Sequence, residues 1–71
     1  MHRYVYIIEP TETGFSAFAP DLPGCVTTGT TIEQTASEMC EAIEFHIDGL
    51  TLEGMPVPAP FTIAGYADVS A

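Results

Sequence analysis

The 71-residue sequence predicts an α+β fold of order β-β-β-α-β, an antiparallel sheet carrying one helix on one face. Three observations point there. Short β-branched and aromatic runs, punctuated by glycine and proline, fill residues 3–28. Apolar residues then recur at helical spacing from Ile32 to Leu50. Alternation of apolar and polar positions returns from Phe61 to Val69. A chain of this length holds one domain, residues 1–71, whose core alone gives marginal stability.

The first element, "RYVYIIE" (3–9), sets Tyr4, Tyr6 and Ile8 on one face and Val5 and Ile7 on the other. A strand apolar on both faces is central in its sheet or covered on one face by another subunit. "PTETG" (10–14) supplies turn residues, and "FSAFA" (15–19) completes an antiparallel hairpin. Within "APDLPGCVTTGTT" (19–31), Pro23-Gly24 suits the centre of a type II turn, because proline presets φ and glycine accepts a positive one. "CVTT" (25–28) then forms the third strand, which Gly29 ends.

Thr31 and Gln34 have capping-box spacing, and Glu33 suits the positive end of a helix dipole. Ile32, Ala36, Met39, Cys40, Ile43, Ile47 and Leu50 fall in one stripe roughly 100° wide, the core face of an amphipathic helix. Gly49 is its expected stop. "EGMPVPAP" (53–60) has three prolines at alternate positions and must be extended. "FTIAGYADV" (61–69) is the expected last strand, with Phe61, Ile63 and Val69 on one face, Thr62, Tyr66 and Asp68 on the other, and a bulge at Gly65.

Charge narrows the function. Ten acidic residues stand against one arginine and no lysine, a formal net charge of -9. Such a field repels phosphate backbones and anionic membranes, and favours a basic partner or a cation. A hydrophobic content of 46% is too high for a disordered chain. No apolar run approaches the roughly 18 residues of a membrane helix. The amino terminus enters a strand pattern at once, without the regions of a signal peptide. The expectation is a cytoplasmic protein with reduced thiols that gains stability by self-association, as a homodimer or higher oligomer.

The stretches "YVYIIEP", "TGFSAFAPDLPGCVTTGTT", "EAI" (41–43) and "EGMPVPAP" together resemble the HicB-like antitoxin family, over about residues 4 to 60. The most specific part is "PDLPGC", residues Pro20, Asp21, Leu22, Pro23, Gly24 and Cys25, followed by a Gly-x-Thr helix entry. The resemblance implies a partial ribonuclease-H-like form of the fold. It also implies neutralisation of a small basic messenger-RNA-cleaving toxin of the HicA type. Many members of that family add a carboxy-terminal DNA-binding domain that represses their operon. This sequence shows none, so the expectation is a stand-alone domain without DNA contacts of its own.

Other chemistries compete with plain structural roles. Asp21 and Cys25 offer a carboxylate and a nucleophile, but a reactive cysteine needs a base or positive charge, and His2, His46 and Arg3 lie far off in sequence. The structural reading has Asp21 bonding turn amides and Cys25 filling the core. Cys25, Cys40, His2 and His46 equal a zinc set in number, but their spacing matches no zinc module. Glu9, Asp21 and Glu41 are candidate carboxylates for two-metal hydrolysis, yet one arginine cannot build a nucleic-acid groove. Neither enzyme activity nor a metal or cofactor is expected.

The outer helix face is more informative. Glu33, Ser37, Glu41, Glu44 and Asp48 lie within about 80° of one another on a helical wheel. No lysine or arginine in the helix offsets them. Glu44 and Asp48 form a like-charge i, i+4 pair, and Phe45 projects about 165° from the centre of the apolar stripe. An aromatic ringed by uncompensated carboxylates reads as a docking anchor, so Glu33, Glu41, Glu44, Phe45 and Asp48 are the candidate partner-binding residues. The alternative is a merely solvated face on an orphan homo-oligomeric scaffold without a toxin.

Overall fold

In the computed structural model, which describes residues 2–70, three strands precede one helix: β1 (Ile7–Pro10), β2 (Phe15–Phe18), β3 (Val26–Gly29) and α1 (Ile32–Leu52). The strands form one antiparallel sheet in the order β1-β2-β3. The α+β class and the single helix therefore agree with expectation. Of the two readings of the first strand, the central one does not. β1 is an edge, and β2 is the central strand.

Register explains why β1 is shorter than its apolar run. Ile7 pairs with Phe18, so the same register would set Val5 opposite Pro20. Proline has no N–H to donate, and the ladder stops before it reaches residues 3–6. Ile8, Ala17 and Thr27 line up across the sheet on the face that meets α1. Tyr4, Tyr6 and Ile8 pack there against the core of Ala17, Ala19, Leu22, Cys25 and Met39. They are partly buried, packed against that core on the helix side of the sheet. The opposite face carries the row Ile7, Phe18 and Val26, of which Ile7 and Val26 are exposed.

The turn before β3 is two turns in series. Leu22 N–H donates to Ala19 O at 3.1 Å across Pro20-Asp21, and Cys25 N–H donates to Leu22 O at 3.0 Å across Pro23-Gly24. Gly24 has φ +83, the left-handed value a type II turn requires. Leu22 and Cys25 are thereby turned into the core.

Helix α1 begins as expected. Thr31 caps it, accepting from Gln34 N–H at 3.0 Å. The return half of the box goes one residue further back, where Gln34 Oε1 accepts from the Thr30 amide at 2.8 Å and hydroxyl at 2.7 Å. The core face, however, is rotated relative to the apolar stripe. Thr35 and Met39 are its fully buried positions, while Ile32 and Cys40 are exposed. A threonine can occupy that place because its hydroxyl donates to Thr31 O at 2.7 Å. It also stands against Gly29, where any Cβ would meet the Thr35 side chain and lie 3.1 Å from its amide nitrogen. Close approach at a glycine brings the helix's first turns down onto β3, and that contact sets the rotation.

The helix does not stop at Gly49. It ends at Leu52 in a Schellman motif, with Gly54 at φ +70, Gly54 N–H on Thr51 O at 3.1 Å and Met55 N–H on Leu50 O at 2.9 Å. An interior glycine costs only about 1 kcal/mol of helix propensity, which packing overrides when a better stop lies downstream.

The expected last strand is absent. Residues 61–70 enter no ladder, so the predicted bulge at Gly65 has no strand to interrupt. Period-two alternation requires a neighbour before it becomes a strand, and within one chain this segment has none. Ile63, Tyr66 and Val69 are largely exposed.

A candidate partner-binding surface

The acidic residues singled out from sequence share the outward side of α1. Glu33, Glu41, Glu44 and Asp48 are all exposed, as are Ser37 and Glu38. Rotation of the core face puts them almost diametrically away from the sheet. The first turn carries an acid, Glu33, and the last turn no base, so the carboxylates near the carboxy terminus of α1 face the negative end of its dipole uncompensated.

Phe45 is placed differently from the expectation. At 100° per residue it lies about 120° from Met39, on the flank of the helix and not opposite the core. It is nevertheless 82% exposed. Two hollows meet at its ring. One, of about 500 Å³, runs over the acidic side between Glu41, Glu44, Asp48 and Phe45. The other, of about 370 Å³, lies between helix and sheet and is lined by Gly24, Cys25, Val26, Phe45 and His46. Phe45 is thus the ridge between a charged hollow and an apolar one. The turn motif and the helix face, separate in sequence, border the same groove.

The turn itself holds no reactive pair. Cys25 is buried, and burial pushes its thiol above the ordinary value, so it stays protonated at neutral pH. Asp21 is buried, but its partners are not turn amides. It accepts from Phe61 N–H and Thr62 N–H, each at 2.9 Å, and from the Thr62 hydroxyl. Burial alone would raise this carboxyl; the Thr62 hydroxyl, Thr62 amide and Phe61 amide outweigh it and hold the group below the ordinary aspartate value. Asp21 is a clasp for the carboxy-terminal segment. Close by, the Tyr4 hydroxyl donates to Pro58 O, pinning the connector to the same end of the sheet.

Cys40, expected in the core stripe, lies on the surface beside Tyr6, whose hydroxyl is pushed up by burial and then by this thiol. Among the described residues no three histidine, cysteine, aspartate or glutamate side chains gather as a metal site would need. No helix among them is long and apolar enough to cross a membrane.

Sequence reasoning missed Thr35 and the tail clasp. The first left a trace, since Thr31 and Thr35 stand one helical turn apart just beyond a strand-ending glycine. The clasp left none, because its partners lie 40 and 41 residues apart.

Comparison with known proteins gives a consistent picture. A family model described as HicB_like antitoxin of bacterial toxin-antitoxin system matches residues 4–70. A UPF0150 protein of Synechocystis is 37% identical over 59 residues, covering 82% of this chain and 75% of that protein. An uncharacterised 14.9 kDa protein of Haemophilus phage HP1 is 33% identical over 63 residues, covering 89% of this chain but 47% of its own length. Among solved structures, a chain of the HicA3 and HicB3 toxin-antitoxin complex superposes with a TM-score of 0.72 at 34% identity, covering 84% of this chain and 70% of that one.

Proposed function

Because the chain belongs to the HicB-like antitoxin family of bacterial toxin-antitoxin systems, a class of binding proteins and not of enzymes, we propose that it neutralises a small basic HicA-type toxin by occluding its RNA-binding surface. The observation that carries this reading is Phe45, 82% exposed at the junction of an apolar groove and an acidic hollow. A cationic toxin surface made to hold RNA is attracted by the same field that repels RNA from this chain. Glu41, Glu44 and Asp48 speed the encounter and compete with phosphates for the toxin's cations, and Glu33 extends the field along the helix. The Phe45 ring, inserted between toxin side chains, supplies the slow dissociation.

The test is a binding-kinetics measurement with a small basic toxin of the HicA type. Phe45→Ala should raise the dissociation rate on the order of 30-fold, the equivalent of about 2 kcal/mol at an interface anchor. Glu41→Lys with Glu44→Lys should slow association and flatten its salt dependence while leaving dissociation less affected. Wild-type rates in both variants would place the toxin on another surface. If no basic protein binds the chain at all, the orphan-scaffold reading takes its place.

A further inference from the structure

We propose that the carboxy-terminal segment 62–69 is an exchanged strand: in a two-fold dimer each copy lays it into the groove beside β1 of the other. The groove is open in a single chain. Its first part, about 490 Å³, has Arg3, Tyr4 and Tyr6 on one wall and Thr62 to Ala64 on the other. Its second, about 540 Å³, continues between Val5–Ile8 and the stretch up to Tyr66. One wall runs along residues 3–8: Ile7 and Ile8 lie on the free edge of the sheet, and residues 3–6 before them enter no ladder, so this side presents unpaired backbone groups. The other is a segment whose own backbone enters no ladder. A groove with such walls accepts an extended strand.

Several observations make a second copy the occupant. The tail leaves the body at a fixed point, the Asp21 clasp on Phe61 and Thr62, and then runs in the same direction as β1, as the walls show. A two-fold axis perpendicular to the strands reverses the partner's tail, which would then lie antiparallel to both walls and complete one continuous sheet. Ile63 and Tyr66, 91% and 98% exposed, would be covered by this exchange. Charge agrees. Two chains of net charge -9 repel unless they meet where carboxylates are missing. Residues 3–8 hold none, the exchanged segment 62–69 holds one, Asp68 near its end, and Arg3, the chain's one arginine or lysine, lies on this face.

Surface area agrees as well. A compact monomer of 7.6 kDa exposes about 4,300 Å², whereas this chain exposes 5549 Å². The excess of roughly 1,250 Å² exceeds the ~800 Å² each partner covers in a stable complex.

The full chain should sediment as a dimer at micromolar concentration. Ile63→Asp with Tyr66→Asp should weaken dimerisation at least 100-fold while leaving the helical circular dichroism unchanged, because neither side chain touches the core. In a mixture of differently isotope-labelled chains, isotope-filtered NOEs should connect residues 63–66 of one copy with Val5–Ile8 of the other. A monomer at 100 µM overturns the proposal. So does a dimer that ignores the double variant, or a tail that becomes protected only when a basic protein is added. None of these outcomes depends on whether a toxin binds at Phe45.

Discussion

At the scale of single residues, two glycines of this chain carry opposite consequences. Gly29 has no room: an added Cβ would meet the Thr35 side chain and the helix backbone beside it. Gly29→Ala must therefore push α1 off the sheet, with an expected loss of about 1–3 kcal/mol in a urea titration. Gly49 lies inside the helix, with no left-handed backbone and nothing within 4 Å of the place a Cβ would take. Gly49→Ala should gain about 0.5–1 kcal/mol, because alanine loses less backbone entropy in a helix. A lower melting temperature for Gly49→Ala would show that the groove beside Phe45 needs that space. Thr35 supplies the general point. Its hydroxyl is satisfied within the helix, so the residue is buried without orphaning a polar group.

At the scale of elements, the start of the tail is held by one carboxylate. The Asp21 clasp joins a turn to a segment 40 residues away, and its folded carboxyl lies below the ordinary value of 3.8. A depressed carboxyl stabilises the clasped form fully above the unfolded value, and that contribution is lost as pH falls through the lower, folded one. The Phe61 and Thr62 amide resonances should hence follow a titration whose midpoint lies below 3.8. Titration at or above that value would mean the clasp is not formed in solution. Asp21→Ala should release the same two amides at neutral pH and leave the β2–β3 pairing intact, because the double turn is closed by main-chain bonds alone.

At the scale of the whole molecule, shape and charge work against a solitary chain. The radius of gyration is 13.7 Å and the long dimension 49 Å, against about 11 Å for a compact chain of this length. Among the described residues only five apolar side chains are buried, a core that by itself supplies marginal stability. The acidic helix face and the tail groove should respond to salt in opposite directions. Screening weakens capture of a basic partner by the acidic helix, and it strengthens meeting of two acidic copies at their uncharged faces. Raising ionic strength tenfold to about 0.1 M, which shortens the screening length from about 30 to about 10 Å, should lower toxin affinity and raise dimer affinity. Parallel changes in the two affinities would rule out this division of surfaces.

The sequence by itself determined whatever rests on local rules. The double-proline turn, the Gly24 conformation, the Thr31 cap and the amphipathic helix follow from residues within a few positions of one another, and so does the acidic helix face. Tertiary structure decided the rest, because it depends on which distant groups meet. Gly29 against Thr35 rotated the core face and moved Phe45 from the back of the helix to its flank. Pro20, reached only through the β1–β2 register, cut the first strand short. Asp21 was a turn residue by its neighbours and became a clasp through Phe61 and Thr62. The alternation in residues 61–69 could announce an extended segment but not its partner, since a strand is completed by hydrogen bonds from outside its own sequence.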